Sequence, residues 1–440
     1  MPVVRRIPVV RRIPVVRRCA ANSPLAILLA YIRPVLTRRR PSLILLALVT
    51  AIAPAALHML VPALPMLAAV FEAAPGAVQL VLTLFLAGIA CGQLVYGPLS
   101  DRFGRRPVLL AGLTLFLFGT VLCGLAWSLP ALLVGRTLQA LGGCAGMVLG
   151  RAIVRDIYDR ERSASALATI MMVMSLAPSL SPAIGAYLAQ WVGWRADFVL
   201  LGAVGAAVLA LTAVKLEETH APASANFVTM IAASVALLRS ATFLSLVFAT
   251  AFTSASWFTF LAAAPYLLAE RLHQPPSVYG VMILLPMVGY IIGNASVVRL
   301  SVLLGSSRLF VLGLALSLAS GVMLAFWCLA DLTPWALFVP MAISSIGNGM
   351  SQPSGVAAAL SVYPRIAGAA SGLMGFTQMI IAALGTLLLG LLSRGSVVAM
   401  VAVVGSSLAL ALFCGLLTLL APSHEARRTA SVRRAIAKEP

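Results

Sequence analysis

His58 lies in APAALHMLVPALP, residues 53–65, an uncharged and largely apolar run with prolines at 54, 62 and 65. An imidazole with a reference pKa of ~6.5 takes up and gives back a proton near neutral pH. Arg136 lies in a second apolar run, LLVGRTLQALGG (132–143). Its guanidinium is a fixed positive charge suited to a carboxylate or a polarised carbonyl. Asp101 sits in GPLSDRFGRRPVLL (97–110), beside Arg102, Arg105 and Arg106 and near Gly97 and Gly104. These residue types permit proton exchange, recognition of polar or anionic groups, and charge pairs that are made and broken. No paired acids or metal-ligand cluster accompany them, so no catalytic residue, metal or cofactor is expected. Cys91, Cys123, Cys144, Cys328 and Cys414 fall in apolar stretches and Cys19 in a basic arm. Without ligand spacing they read as small packing residues.

The elements that hold these residues must cross a membrane. The chain is 61% hydrophobic and 10% charged, with a mean hydropathy of +1.03, too apolar for one soluble core. Twelve stretches are long enough to span a hydrocarbon core of ~30 Å: 42–66, 77–99, 108–127, 131–153, 166–190, 196–214, 243–267, 278–298, 309–329, 335–360, 367–392 and 397–421. Backbone polar groups in lipid must be satisfied within the segment, so the fold class is all-α and polytopic. With the N-terminus inside, 27 of 31 Lys and Arg fall on one side, and the split is still 17 to 3 without residues 1–41. That bias puts both termini in the cytoplasm. The net charge of +19 therefore reflects topology, and no nucleic-acid partner is expected.

The domains expected are a basic arm (1–41), a first six-helix bundle (42–214), a cytoplasmic linker (215–242), a second bundle (243–421) and a cytoplasmic tail (422–440). The arm reads PVVRRI PVVRRI PVVRR, with no continuous apolar core for a signal peptide, and is expected to be disordered. A lipid-binding arm and a translated short repeat or early start both account for it; the second is preferred. Phe227–Leu238 of the linker could form an interfacial helix. At an offset of 201, Gly92, Gly104, Gly112 and Leu99 meet Gly293, Gly305, Gly313 and Leu300. With six spans on each side of the linker, this predicts two pseudo-symmetric bundles with a substrate path between them.

The loop at 97–110 resembles G-x-L-[AS]-D-R-x-G-R-[RK] of the major facilitator superfamily. It matches at Gly97, Leu99, Ser100, Asp101, Arg102, Gly104, Arg105 and Arg106. A basic topogenic loop explains the arginines but not the acid at the helix end. The resemblance implies the major facilitator fold and a charged latch that holds the two halves in the outward-facing state. Arg136 and Gln139 resemble that family's R-x-x-Q-G pattern, with Gly142 displaced. A snorkelling arginine is the other reading of Arg136. In MSLAPSLSPAIGAYLAQWVGWRADFVL (174–200), Pro178, Pro182 and Gly185 resemble an antiporter motif usually written G-P-x-x-G-G. The same stretch with Trp194, Arg195 and Phe198, GRAIVRDIYD (150–159) and AGAASGLMGFTQM (367–379) looks like the bicyclomycin-resistance (Bcr/CflA) branch of drug:proton antiporters. Two prolines on one face also predict a kinked, adaptable span.

In that branch the first span typically reads P-L-A-x-D-M-Y-L-P-A-L-P. Pro54, Met59, Pro62, Ala63, Leu64 and Pro65 hold their places, but the aspartate position is His58. The acids of the chain fall in loops, tails or helix ends, Asp197 included. His58 is therefore the leading candidate for proton coupling, with Arg136 beside it, both about 8–12 Å deep in the outer half of the membrane. Pro62 leaves the His58 carbonyl unpaired by the helix. A polar residue merely bonded within the bundle is the other reading of His58. Further candidate substrate-binding residues are Gln93, Trp257, Tyr290, Asn348 and Gln378, for which interhelical bonding or packing is an equal account. The expected function is export of small amphipathic compounds across the bacterial inner membrane, by alternating access, in exchange for protons. Uptake of a neutral or acidic metabolite is the alternative. The partners expected are a small-molecule substrate, protons and the bilayer, and the protein is expected to act as a monomer.

Overall fold

The computed structural model describes residues 42–158, 160–219, 235, 237–363, 366–392 and 396–420. The basic arm, most of the linker with its expected interfacial helix, and the tail lie outside the described residues. Among the described residues fourteen α-helices form twelve consecutive spans. The first span is α1 (Leu43–Met59), a 3₁₀ turn (Val61–Ala63) and α2 (Leu64–Val70). The rest of the first half is α3 (Pro75–Phe103), α4 (Arg105–Gly124), α5 (Leu129–Ile157), α6 (Arg160–Trp191) and α7 (Arg195–Lys215). The second half is α8 (Ala241–Tyr266), α9 (Pro276–Met282) with α10 (Leu284–Leu304), α11 (Ser306–Ala330), α12 (Pro334–Val362), α13 (Ala367–Leu392) and α14 (Val397–Leu420).

Ten of the twelve spans are apolar and long enough to cross a membrane by composition alone. The other two are α6 and α12, and α12 is simply more polar in its middle, with Ser344, Ser345, Asn348, Ser351 and Gln352. Prolines shape the ends of the spans. Pro62 and Pro65 break the first span into two helices, because proline lacks the amide an α-helix needs. Pro62 leaves the His58 carbonyl without the helical donor four residues on, and the nearest N–H, that of Leu60, lies where α1 ends. Pro75, Pro276 and Pro334 open their helices, where the missing amide costs nothing.

The two halves repeat one packing scheme. The first span packs on α6 and α3 on α5, while in the second half α8 packs on α13 and α10 on α12. Close approach is made by glycines: a side chain at Gly112 would overlap the Gly142 carbonyl and Ala145, and one at Gly313 the Gly347 carbonyl. Such contacts let helices meet through backbone and small residues, as lipid-embedded bundles require. Gly104 and Gly305 join α3 to α4 and α10 to α11 with φ of 95° and 78°, the left-handed region that glycine tolerates.

One end of the molecule carries the start of the linker and the 97–110 loop; the opposite, far end carries residues 71–74, 125–128 and 272–275. The halves meet along α3 and α13, where Gly76 faces Gly390, Thr83 Oγ1 bonds Thr386 Oγ1 at 2.8 Å, and Gln93 lies against Gly375. Across the other side they meet near the far end, where Gly280 packs on Ala183 and Ala186 and Ser277 N–H donates to Gln190. Tyr266 also donates to the Leu64 carbonyl there.

Candidate functional site

The first half builds a charged cluster around Arg136. The residue is 1% exposed, so it does not snorkel. Its Nη1 donates to the Ala56 carbonyl at 3.1 Å and to Gln139 Oε1 at 2.6 Å. Gln139 in turn donates to Thr120 Oγ1 at 2.9 Å, so α1, α4 and α5 are tied by one network. The guanidinium carbon lies 4.1 Å from the centre of the Phe85 ring, a cation–π contact. Arg136 Nε is buried and has no acceptor among the described residues.

His58 is 4% exposed and sits two residues beyond the Ala56 carbonyl that Arg136 holds. Its Nδ1 lies 2.9 Å from the Pro54 carbonyl. A carbonyl only accepts, so Nδ1 carries the hydrogen and Nε2 is the proton-accepting atom of the neutral ring. The ring faces Phe258 of the second half, with centroids 6.1 Å apart. Pro54, inside the helix, thus supplies the carbonyl that fixes the tautomer.

Asp197 stands at a helix end, as the sequence places it, but that end is buried: Asp197 is 0% exposed and neither carboxylate oxygen has a hydrogen-bond partner among the described residues. It lies within electrostatic range of Arg136. The sequence signal was its depth, since the starts of α5 and α7 both lie at the far end.

The second half builds an uncharged polar cluster. Gln352 Nε2 faces the Thr250 carbonyl, Thr253 Oγ1 and Ser254 Oγ at 3.0–3.2 Å. Gln378 reaches Gln352 Oε1 at 3.3 Å. Gln93 sits against Gly375, one turn before Gln378 on α13. Trp257 and Asn348 line a crevice with Thr253, Ser256, Ser344 and Ser345. Tyr290 does not join these groups: its backbone packs on Gly349 and accepts from Asn294. Gln352 was missed, although its spacing of four from Asn348 puts both on one face of α12.

At the linker end, Arg105 pairs with Asp101 and Asp156, the latter at 3.0 Å, and also donates to Ser100. Glu218 accepts from the backbone N–H of Arg105 and Arg106 at 2.9 and 3.1 Å, which caps α4. Arg106 donates to the Ala213 carbonyl, and Arg102 lies over Phe103. These partners all belong to the first half and the start of the linker, so the loop clasps its own bundle in this conformation. Gly97 has open space beside it. In α6, Pro178 and Pro182 lie within one continuous helix, and Gly185 packs against the Met59 carbonyl. No group of three or more potential metal ligands occurs among the described residues.

The sequence profile of the Major Facilitator Superfamily matches residues 46–246 and 246–439. The chain is 28% identical over 313 residues to the bicyclomycin resistance protein homolog of Haemophilus influenzae, covering 70% of this chain and 78% of that one. It is 29% identical to multidrug resistance protein D of Escherichia coli, over 69% of this chain and 76% of that one. A shorter match, 43% over 126 residues, is to a chloramphenicol resistance protein of Pseudomonas aeruginosa, covering 28% of this chain and 30% of that one. Among solved structures, a peptide transporter with bound sulfate superposes with a TM-score of 0.72 at 16% identity, covering 86% of this chain and 93% of that one.

Proposed function

Because the chain belongs to the Major Facilitator Superfamily, we propose that it is a drug exporter that exchanges small, uncharged amphipathic compounds for protons across a bacterial inner membrane. The charge bias orients the linker end to the cytoplasm. The far-end contacts between halves then close the outer side, which is the state that loads a cytoplasmic compound. On this reading Asp101 and its arginines exchange their partners within the first half for the other half when the inner side closes.

The observation that carries the reading is the division of polar groups. A buried cation and a histidine lie in the first half, and neutral amides and hydroxyls lie in the second, around Gln352 and Gln378. His58 and Arg136 serve proton coupling; Gln93, Trp257, Asn348 and Gln378 serve recognition, with Gln352 added and Tyr290 left outside the site. Bicyclomycin and chloramphenicol, for which two of the resistance-protein relatives are named, are uncharged molecules with hydroxyl and amide groups that such a lining would suit.

A permanent cation needs a counter-charge, and two unit charges 4 Å apart interact by about 4 kcal/mol at an effective dielectric of 20. His58 gives no such attraction. Vesicles should therefore export chloramphenicol and not ethidium, and His58→Asp should gain ethidium export. Efficient ethidium export by the wild type, unchanged by His58→Asp, would sink the reading. Accumulation of chloramphenicol together with protons would favour uptake instead.

A further inference from the structure

A carboxylate taken out of water without a partner is among the most costly groups a protein can bury. Asp197 is such a group. It stands third in α7, where an acid ordinarily caps the helix start, yet its oxygens bond no backbone N–H and no side chain among the described residues. Arg136 lies within range, with Nε buried and unused, while its Nη1 is held by Ala56 and Gln139. The other charged and titratable groups near this end of the elements packed on α7 are Cys123 on α4, His58 on α1, the exposed Tyr187 on α6 and Arg195 on α7 itself. Cys123 Sγ is directed to the Leu132 carbonyl and His58 Nδ1 to the Pro54 carbonyl. Arg195 turns away, to the Ala126 carbonyl and over Trp194. Phe71, Trp194 and Phe198 pack edge-on beside it, with ring centroids 5.7 and 6.0 Å apart. Arg136 is thus the one buried cation of this set, and its Nε has no acceptor among the described residues.

We propose that Asp197 carries the coupled proton, with Arg136 as its counter-charge, so that the acid missing from the first span is supplied by the sixth. The inference rests on the proton-coupled reading above and names the group that does the coupling. Protonated, the carboxyl is neutral and Arg136 stays on the Ala56 carbonyl and Gln139, as here. On loss of the proton to water, the carboxylate draws the unused Nε, and Arg136 releases Ala56. Because Ala56 and His58 share α1, and His58 faces Phe258 of the other half, the proton is linked to the contact between halves. His58 then positions α1 and is not the obligatory proton carrier.

The test uses the full-length protein in liposomes, with infrared difference spectra across a pH titration and labelled chloramphenicol as the transport probe. A carboxylic-acid carbonyl band that titrates in the wild type and in His58→Gln should vanish in Asp197→Asn and return with a displaced midpoint in Asp197→Glu. Asp197→Asn should lower proton-driven chloramphenicol flux about tenfold or more, while exchange of labelled for unlabelled chloramphenicol stays within about twofold. The Asp197→Glu band guards against a folding artefact. Persistence of the titrating band in Asp197→Asn, or its loss in His58→Gln, would overturn the proposal. If the wild type moves chloramphenicol without protons, the antiport reading fails, and the band still decides whether Asp197 holds a proton.

Discussion

The two halves share a scaffold and differ in charge. Ser128 and Thr333 cap α5 and α12 with the same bond to the third following N–H. Cys123 Sγ faces the Leu132 carbonyl, and Cys328 Sγ faces the Ala336 carbonyl. Gly142 packs on Gly112 and Gly347 on Gly313, which aligns α5 with α12 residue by residue. On that alignment Met341 stands where the first half has Arg136, and Ser344 where it has Gln139. His58 of the first span faces Phe258 of the seventh. Packing positions are therefore kept by both halves, while among the described residues buried charge is confined to the first. On the proposed function, that difference assigns proton chemistry to one side of the path and recognition of neutral groups to the other.

Putting the second half's residue into the first is the harshest test. Arg136→Met removes the bonds to Ala56 and Gln139 and leaves Asp197 without a counter-charge. Proton-driven chloramphenicol flux should fall about 100-fold, in line with the ~3 kcal/mol or more of a broken buried charge partnership. Flux in vesicles, normalised to inserted protein, checks it; near-normal flux would show that the charge asymmetry has no role. The converse change is smaller. Gln352→Leu removes the amide that serves Thr250, Thr253 and Ser254. It should weaken chloramphenicol binding about tenfold, the effect of one or two hydrogen bonds, and leave the protons moved per drug unchanged. Equilibrium binding of labelled chloramphenicol measures this, and a changed proton ratio would break the division of labour. Thr386→Val, which touches neither site, should have the least effect. It removes the bond to Thr83 between the halves, worth about 1 kcal/mol, and should raise far-side labelling of a cysteine placed at Gln79 by at most about fivefold. Unchanged labelling would mean that this contact does not hold the far end shut.

Much of this was legible in the sequence, because hydrophobicity and glycine spacing report directly on spans and close packing. The twelve stretches fall on the twelve spans, and the glycines at an offset of 201 mark the turns at Gly104 and Gly305. The loop motif located its acid and arginines but not their partners. Asp156 and Glu218 come from elements about 50 and 110 residues away, and no local pattern names such pairings. Asp197 was placed correctly at a helix end, but its burial was not legible for a related reason. Position two places into a helix says nothing of exposure, and only the packing of α4 and α1 on α7 shows that the helix start is buried. Gln352 was passed over because α12 is polar along its middle, where periodicity cannot say which amide becomes the hub.

The account stands most directly on the direction and location of proton movement. Liposomes containing the protein and an entrapped pH dye, given a chloramphenicol gradient, should show protons moving against the drug. That flux should persist in Gln352→Leu once the drug concentration is raised, and disappear in Arg136→Met at every concentration. Protons moving in the same direction as chloramphenicol, or an undiminished proton flux in Arg136→Met, would contradict it.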